Sequence, residues 1–139
     1  MMLIDTSIWV EFFRRQGYPP AKRKVAELLE ADQAGFTCPT LFELVNGARK
    51  AELTSVLQTL EMAVRFEFRP EFWVSAAQLE AKLREVGITV PRDDIFVASG
   101  AIGHGLTLLC RDRHFDLIRQ HGDRRLRVEQ IDSSLPITS

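Results

Sequence analysis

Short, mainly apolar runs alternate with longer amphipathic stretches along this chain. Met2, Leu3 and Ile4 predict a strand that stops at Asp5. Ser7 is the expected cap of a helix over 7–15. Gly17, Pro19 and Pro20 predict a turn, and Pro20 suits the first position of a second helix reaching about residue 34, with Val25, Leu28 and Leu29 as its apolar stripe. A brief strand is expected over 36–38, helices over 39–50 and 51–62, and an extended segment over 64–68. From Phe72, apolar residues recur at Ala76, Leu79, Leu83 and Val86, which is helical spacing, and Gly87 ends that helix. A strand over 88–90 is expected next, then a buried helix after Pro91 and a strand over 106–110. A short helix over 115–120 and a last strand over 126–128 complete the pattern.

Strands that are apolar on both faces and alternate with helices predict an α/β fold. Its central sheet is expected to be mostly parallel and covered by helices on both sides. No repeat or linker divides the chain, so residues 1–131 are expected to form a single domain and 132–139 a frayed C-terminal tail. In such sheets the chemistry gathers at the carboxyl ends of the strands.

Composition narrows the function classes. The net charge of −1 over 139 residues excludes an overall basic field, so a nucleic-acid partner would have to be held by local patches. Cys38 and Cys110 are too few for a disulfide framework and wrongly spaced for zinc, which makes a reducing, cytoplasmic setting the expectation. No signal peptide and no membrane-spanning run is legible.

Acids occupy comparable places after successive strands. Asp5 ends the first, Glu43 is expected in the first turn of the helix after the second, Asp94 opens the helix after residues 88–90, and Asp112 follows the 106–110 strand. Asp116 lies four residues further on. Carboxylates converging within a few ångströms repel, and a hard divalent cation such as Mg²⁺ or Mn²⁺ relieves this with oxygen ligands. Such an ion can activate water against a phosphodiester. Each acid also has a bland reading. Thr40 and Glu43 match a capping box, Asp112 can be an N-cap, and Asp116 reads more readily as solvated surface. Asp5 resists that reading, because Thr6 and Ser7 suffice for capping.

The stretches "LIDTSIWVEFF", "PTLFELVNG" and "PRDDIFVASGAIGHGLTLLCRDRHF" together resemble a PIN-domain ribonuclease, in particular a VapC-type toxin of bacterial toxin–antitoxin pairs. The resemblance runs from residue 2 to about 128. It implies a three-layer α/β/α fold, a Mg²⁺- or Mn²⁺-dependent endoribonuclease activity, a cognate VapB-type antitoxin that blocks the site, and a homodimer. It carries the family's catalytic and metal-binding acids onto Asp5, Glu43, Asp94 and Asp112, and a supporting role onto Ser7 or Thr6 and onto Asp116. Asp94 rather than Asp93 has the family's spacing to Val97, Ala98 and Ser99. Three positions depart from the pattern: Cys110 stands where Thr or Ser is usual, Ser99 where Ala is common, and His114 where an acid or amide is frequent.

Hydrolysis of RNA phosphodiester bonds by metal-activated water is the expected mechanism, with Arg111 and Arg113, which flank Asp112, as the best phosphate contacts. Trp9, Phe12, Phe13, Phe42 and Trp73 read first as core and second as a groove for a partner helix. Two rival classes are a phosphatase with an aspartyl nucleophile and a catalytically inactive RNA- or protein-binding module of the same fold. The first needs an aspartate two residues after Asp5, where Ser7 stands. The second has no use for a complete set of mutually repelling acids.

Overall fold

The structure, a computed structural model, describes residues 1–131, so the expected tail over 132–139 lies outside the described residues. The elements are β1 (Met2–Ile4), α1 (Thr6–Phe13), α2 (Pro19–Glu30), β2 (Ala34–Thr37), α3 (Cys38–Gly47), α4 (Leu53–Glu61), β3 (Val64–Phe66), α5 (Pro70–Glu85), α6 (Arg92–His104), β4 (Thr107–Cys110), α7 (His114–Leu117) and β5 (Arg127–Gln130), with a π-helical turn over Ile118–Gly122. The strands form one sheet in the order β3-β2-β1-β4-β5, and every pairing is parallel.

β1 lies at the centre, with Leu3 opposite both Gly35 of β2 and Leu108 of β4. Alternation along the strands divides the core in two. Leu3, Leu108 and Cys110 face one layer, where Leu79 and Leu83 of α5 and Ile95 and Ala98 of α6 pack. Ile4, Leu109 and Phe36 face the other, against Ile8, Trp9, Val25, Leu44 and Leu60 of α1 to α4. Each large aliphatic side chain buried in this way contributes about 1.5–3 kcal/mol, which explains why such short strands need cover on both faces. The result is the three-layer α/β/α arrangement expected from the pattern.

Several boundaries differ from the expectation, each for a local reason. α2 ends at Glu30 rather than near residue 34, because Asp32 turns left-handed (φ 56°) and the Gln33 N–H donates back to the Leu28 carbonyl at 2.8 Å. β2 therefore starts at Ala34, and Cys38 already belongs to α3. Residues 88–90 form no strand. Gly87 adopts φ 78° after α5, and the Ile88 N–H donates to the Leu83 carbonyl at 3.0 Å, so the segment closes the helix instead of joining the sheet. Val90 nonetheless packs in the core. The helix expected over 115–120 is α7 continued by the π-helical turn.

The strand order reverses between β1 and β4, since β2 and β3 lie on one side of β1 while β4 and β5 lie on the other. A parallel sheet opens a crevice at such a switch point, at the carboxyl ends of the strands. Its rim depends on the turn between α1 and α2. There the Lys22 ammonium donates to the Phe12 carbonyl at 2.8 Å and also to the Arg14 carbonyl, closing the end of α1. Gly17 is buried in this turn, and a Cβ on it would stand 1.8 Å from the Glu11 carbonyl oxygen. The obstacle is backbone, so Gly17→Ala is expected to destabilise the protein by about 1–3 kcal/mol. Urea denaturation measures this, and an unchanged midpoint would contradict the packing described.

Candidate active site

Asp5 is held by the strand it ends and the helix it begins. Its N–H still donates to the Leu109 carbonyl at 2.9 Å, while its extended backbone (φ −68°, ψ 155°) makes it the N-cap of α1. Its Oδ2 accepts the Ser7 backbone N–H at 3.1 Å and the Ser7 hydroxyl at 2.6 Å. The expected cap, Ser7, is thus the donor, and Asp5 is the cap. The Ser7 Oγ also accepts the Arg111 N–H at 3.4 Å, which ties α1 to the loop after β4. Thr6 serves a different acid: its hydroxyl donates to Glu43 Oε1 at 2.7 Å, with the Thr40 hydroxyl 3.2 Å away. Glu43 stands in the second turn of α3, not the first, because the helix begins at Cys38. The capping box with Thr40 does not form, since Thr37 is the N-cap and makes no side-chain cap bond.

Asp94 lies in the first turn of α6. Asp112 is placed by its neighbours: Oδ1 accepts the His114 backbone N–H at 2.8 Å, and its carbonyl accepts Gln130 Nε2 at 2.8 Å. The His114 ring, buried at 6 % exposure, sets Nδ1 3.1 Å from Asp94 Oδ2 and 2.9 Å from Asp112 Oδ1.

Asp5, Glu43, Asp94 and Asp112 all line one cavity of about 380 Å³, together with Thr6 and Ser7. Arg111 lines it too, its guanidinium 3.7 Å from Glu11 Oε1 and stacked 4.2 Å over the Tyr18 ring. Asp116 and Arg113 are not in its wall, and they pair with each other at 2.8 Å. Sequence reasoning missed Glu11, a buried acid of the cavity wall that accepts the Tyr18 N–H and the Arg14 guanidinium at 3.2 Å each. Its signal was available, because an acid interrupts the apolar run "IWVEFF". Asp93, set aside in favour of Asp94, lies near enough to Glu43 to repel it.

The acids are electrostatically costly where they stand. Burial first, then the Asp5, Asp112, Glu43 and Asp93 charges, push the Asp94 carboxyl up to about 8. Burial raises Asp5 to about 6 against the lowering effect of the Ser7 and Thr6 hydrogen bonds, with Asp112 adding to the rise. Glu43 rises to about 7 by burial, opposed by the Thr6 hydroxyl and reinforced by Asp93 and Asp5. Cys110, beneath Asp5, has its thiol pushed well up, again mainly by burial. Four carboxyls in one crevice thus favour either bound protons or a cation. Ligand atoms of Asp94, Asp112 and His114 lie within 4.8 Å of one another. The carboxylate oxygens that line the crevice fit a hard divalent cation better than a zinc cage, which draws on several His or Cys ligands.

The sequence model of the PIN domain matches residues 2–120. Two curated relatives, VapC ribonuclease Mb1587 of Mycobacterium bovis and ribonuclease VapC11 of Mycobacterium tuberculosis, are each 33% identical over 129 residues, spanning 85% of this chain and 91% of the relative. Among solved structures, a chain of VapBC2 from Rickettsia felis bound to a promoter DNA fragment superposes with a TM-score of 0.75 at 20% identity, covering 93% of this chain and 97% of that one. A chain of FitAB bound to the IR36 DNA fragment reaches 0.77 at 20% identity, with 94% and 95% covered. The structural likenesses establish the fold, and the family match with the mycobacterial relatives establishes the lineage: the chain belongs to the PIN-domain family, among the VapC ribonucleases.

Proposed function

We propose that this protein is the toxin of a toxin–antitoxin pair, a Mg²⁺- or Mn²⁺-dependent endoribonuclease whose site is Asp5, Glu43, Asp94 and Asp112. The observation that carries this is the meeting of those carboxylates, from four separate segments, in one crevice where burial and mutual repulsion raise three of them. A divalent ion held there supplies a Lewis acid that activates water and neutralises charge developing on a phosphodiester. Ser7 orients Asp5, and Thr6 orients Glu43. Arg111, backed by Glu11 and Tyr18, is positioned to hold a phosphate beside the acids. Arg113 is engaged by Asp116 outside the cavity and is the weaker candidate for RNA contact.

The partner is a VapB-type antitoxin. The mycobacterial relatives are named VapC ribonucleases, and the solved neighbour from Rickettsia felis is a VapBC complex. A groove of about 640 Å³ lined by Phe13, Leu44, Ala48 and Val56 shares Val10, Arg14 and Glu43 with the acidic cavity. A helix seated in it would end beside the acids, which accounts for inhibition. The free toxin is proposed to be a homodimer, with exposed Phe42 and Trp73 as surface left for self-association. The residues that pack inward, Trp9 above all, are core rather than groove. Among the described residues no helix is long and apolar enough to cross a membrane.

Asp5→Asn and Asp94→Asn are each expected to lower RNA cleavage in Mn²⁺ by at least about 100-fold, the loss of roughly 3 kcal/mol of transition-state stabilisation. Near-wild-type cleavage by either variant, measured on labelled RNA with a chelator control, would overturn the proposal. Ser7→Ala and Thr6→Val are expected to cost about 10–100-fold while leaving the fold intact, since each removes an orienting hydrogen bond from a ligand.

Stability supplies a second test. Asp5, Glu43 and Asp94 bind protons more tightly in the folded chain than in the unfolded one. Their protonated forms therefore favour folding below the ordinary carboxylate range, and that contribution is lost as pH rises toward about 8. Metal-free protein should melt at a lower temperature at pH 8 than at pH 5, and Mn²⁺ should restore more at pH 8 by binding the native state. A melting temperature that rises across this window in chelator would contradict the electrostatics described.

A further inference from the structure

His114 belongs to none of the roles assigned so far, yet its ring stands between two of the acids. Nδ1 is hydrogen-bonded to Asp94 Oδ2 at 3.1 Å and lies 2.9 Å from Asp112 Oδ1. The opposite nitrogen, Nε2, is buried and makes no hydrogen bond among the described residues. A proton on Nε2 would leave a buried N–H unmade, a loss of about 1–3 kcal/mol. A proton on Nδ1 meets two carboxylate oxygens instead. The environment therefore selects the tautomer with the proton on Nδ1.

The same residue grips Asp112 through its main chain, since the His114 N–H donates to Asp112 Oδ1 at 2.8 Å. The ring cannot swing away easily: His114 opens α7, and the adjacent Phe115 is fully buried among the residues of α5 and α6 and the core face of the sheet. One imidazole thus links the first turn of α6 to the loop after β4, the two segments that flank the switch point on that side of the sheet.

We propose that His114 is a positioning residue for the cation site: its Nδ1–H fixes the Asp94 carboxylate beside Asp112, so that the two acids reach a divalent ion without rearranging. This rests on the metal reading of the cavity given above. Direct ligation through Nδ1 would transfer the ring proton to Nε2, which meets no acceptor among the described residues, and the geometry therefore favours His114 behind the ligands rather than among them.

Two amides of opposite reach test this. In His114→Asn the side-chain amide nitrogen falls near the position of Nδ1 and can still donate to Asp94. In His114→Gln it falls near Nε2 and cannot. Mn²⁺ affinity, followed by electron paramagnetic resonance of the free ion in titrations of the full chain, should weaken by about 10–100-fold in H114Q and stay close to the wild-type value in H114N. Thermal melts in chelator establish that both variants are folded. A merely structural role would lead both amides to the same affinity, and that outcome overturns the proposal. So does a strongly coupled ¹⁴N signal from wild-type protein with Mn²⁺ in electron spin-echo modulation, which would make His114 a direct ligand. If Asp94→Asn abolishes Mn²⁺ binding while H114Q does not affect it, the cation site stands and the role of His114 falls. If wild-type protein binds no Mn²⁺, the metal reading falls and this proposal with it.

Discussion

The repulsion among carboxylates forced into one crevice governs the design of this protein. Asp5 is 4 % exposed, and Asp94 and Glu43 are raised first by burial and then by the charges of their neighbours. A chain that only needed to fold would not gather one buried and three half-buried carboxyls at the centre of its sheet. Here the concentration follows from topology. β1 and β4 are adjacent and parallel, the strand order reverses between them, and the loops that leave them cannot avoid bringing Asp5 and Asp112 to the same opening.

Local structure partly offsets this cost. Asp5 caps α1 and Asp94 sits in the first turn of α6, where the positive end of a helix favours an anion by about 0.3–1 kcal/mol. The hydroxyls of Ser7 and Thr6 donate to Asp5 and Glu43 respectively. The tripeptide after β1 therefore orients two carboxyls at once, Asp5 at the start of α1 and Glu43 on α3. These contacts hold the carboxylates in place and leave part of the charge uncompensated, which is the state from which a divalent ion gains most.

The surroundings of the cavity join it to its neighbours. Glu11 and Tyr18 hold Arg111 at its edge, and both depend on the turn through Gly17 that folds α2 back onto α1. The groove over α1, α3 and α4, lined by charged residues such as Arg15, Arg49 and Glu52 as well as by apolar ones, opens into the same cavity at Val10, Arg14 and Glu43. The groove and the acidic cavity thus share one wall, so whatever fills the first stands beside the second.

Most of the architecture was legible in the hydrophobic pattern, because short, mainly apolar runs such as Met2–Ile4 and residues 106–110, flanked by amphipathic helices, fit a covered parallel sheet. The acids after the strands were legible for a related reason: a charged residue at the end of a buried run is hard to explain by folding alone. The apolar segment over 88–90 misled, since burial of Val90 and membership of the sheet leave the same trace in a sequence. Only the tertiary structure decided which hydroxyl serves which acid, that Glu11 joins the cavity, that Asp116 and Arg113 do not, and that His114 stands between Asp94 and Asp112. Those relations join residues that are distant along the chain, Thr6 to Glu43 and Asp94 to His114 among them, and hydrogen bonds of that range impose no periodicity on the sequence between their ends.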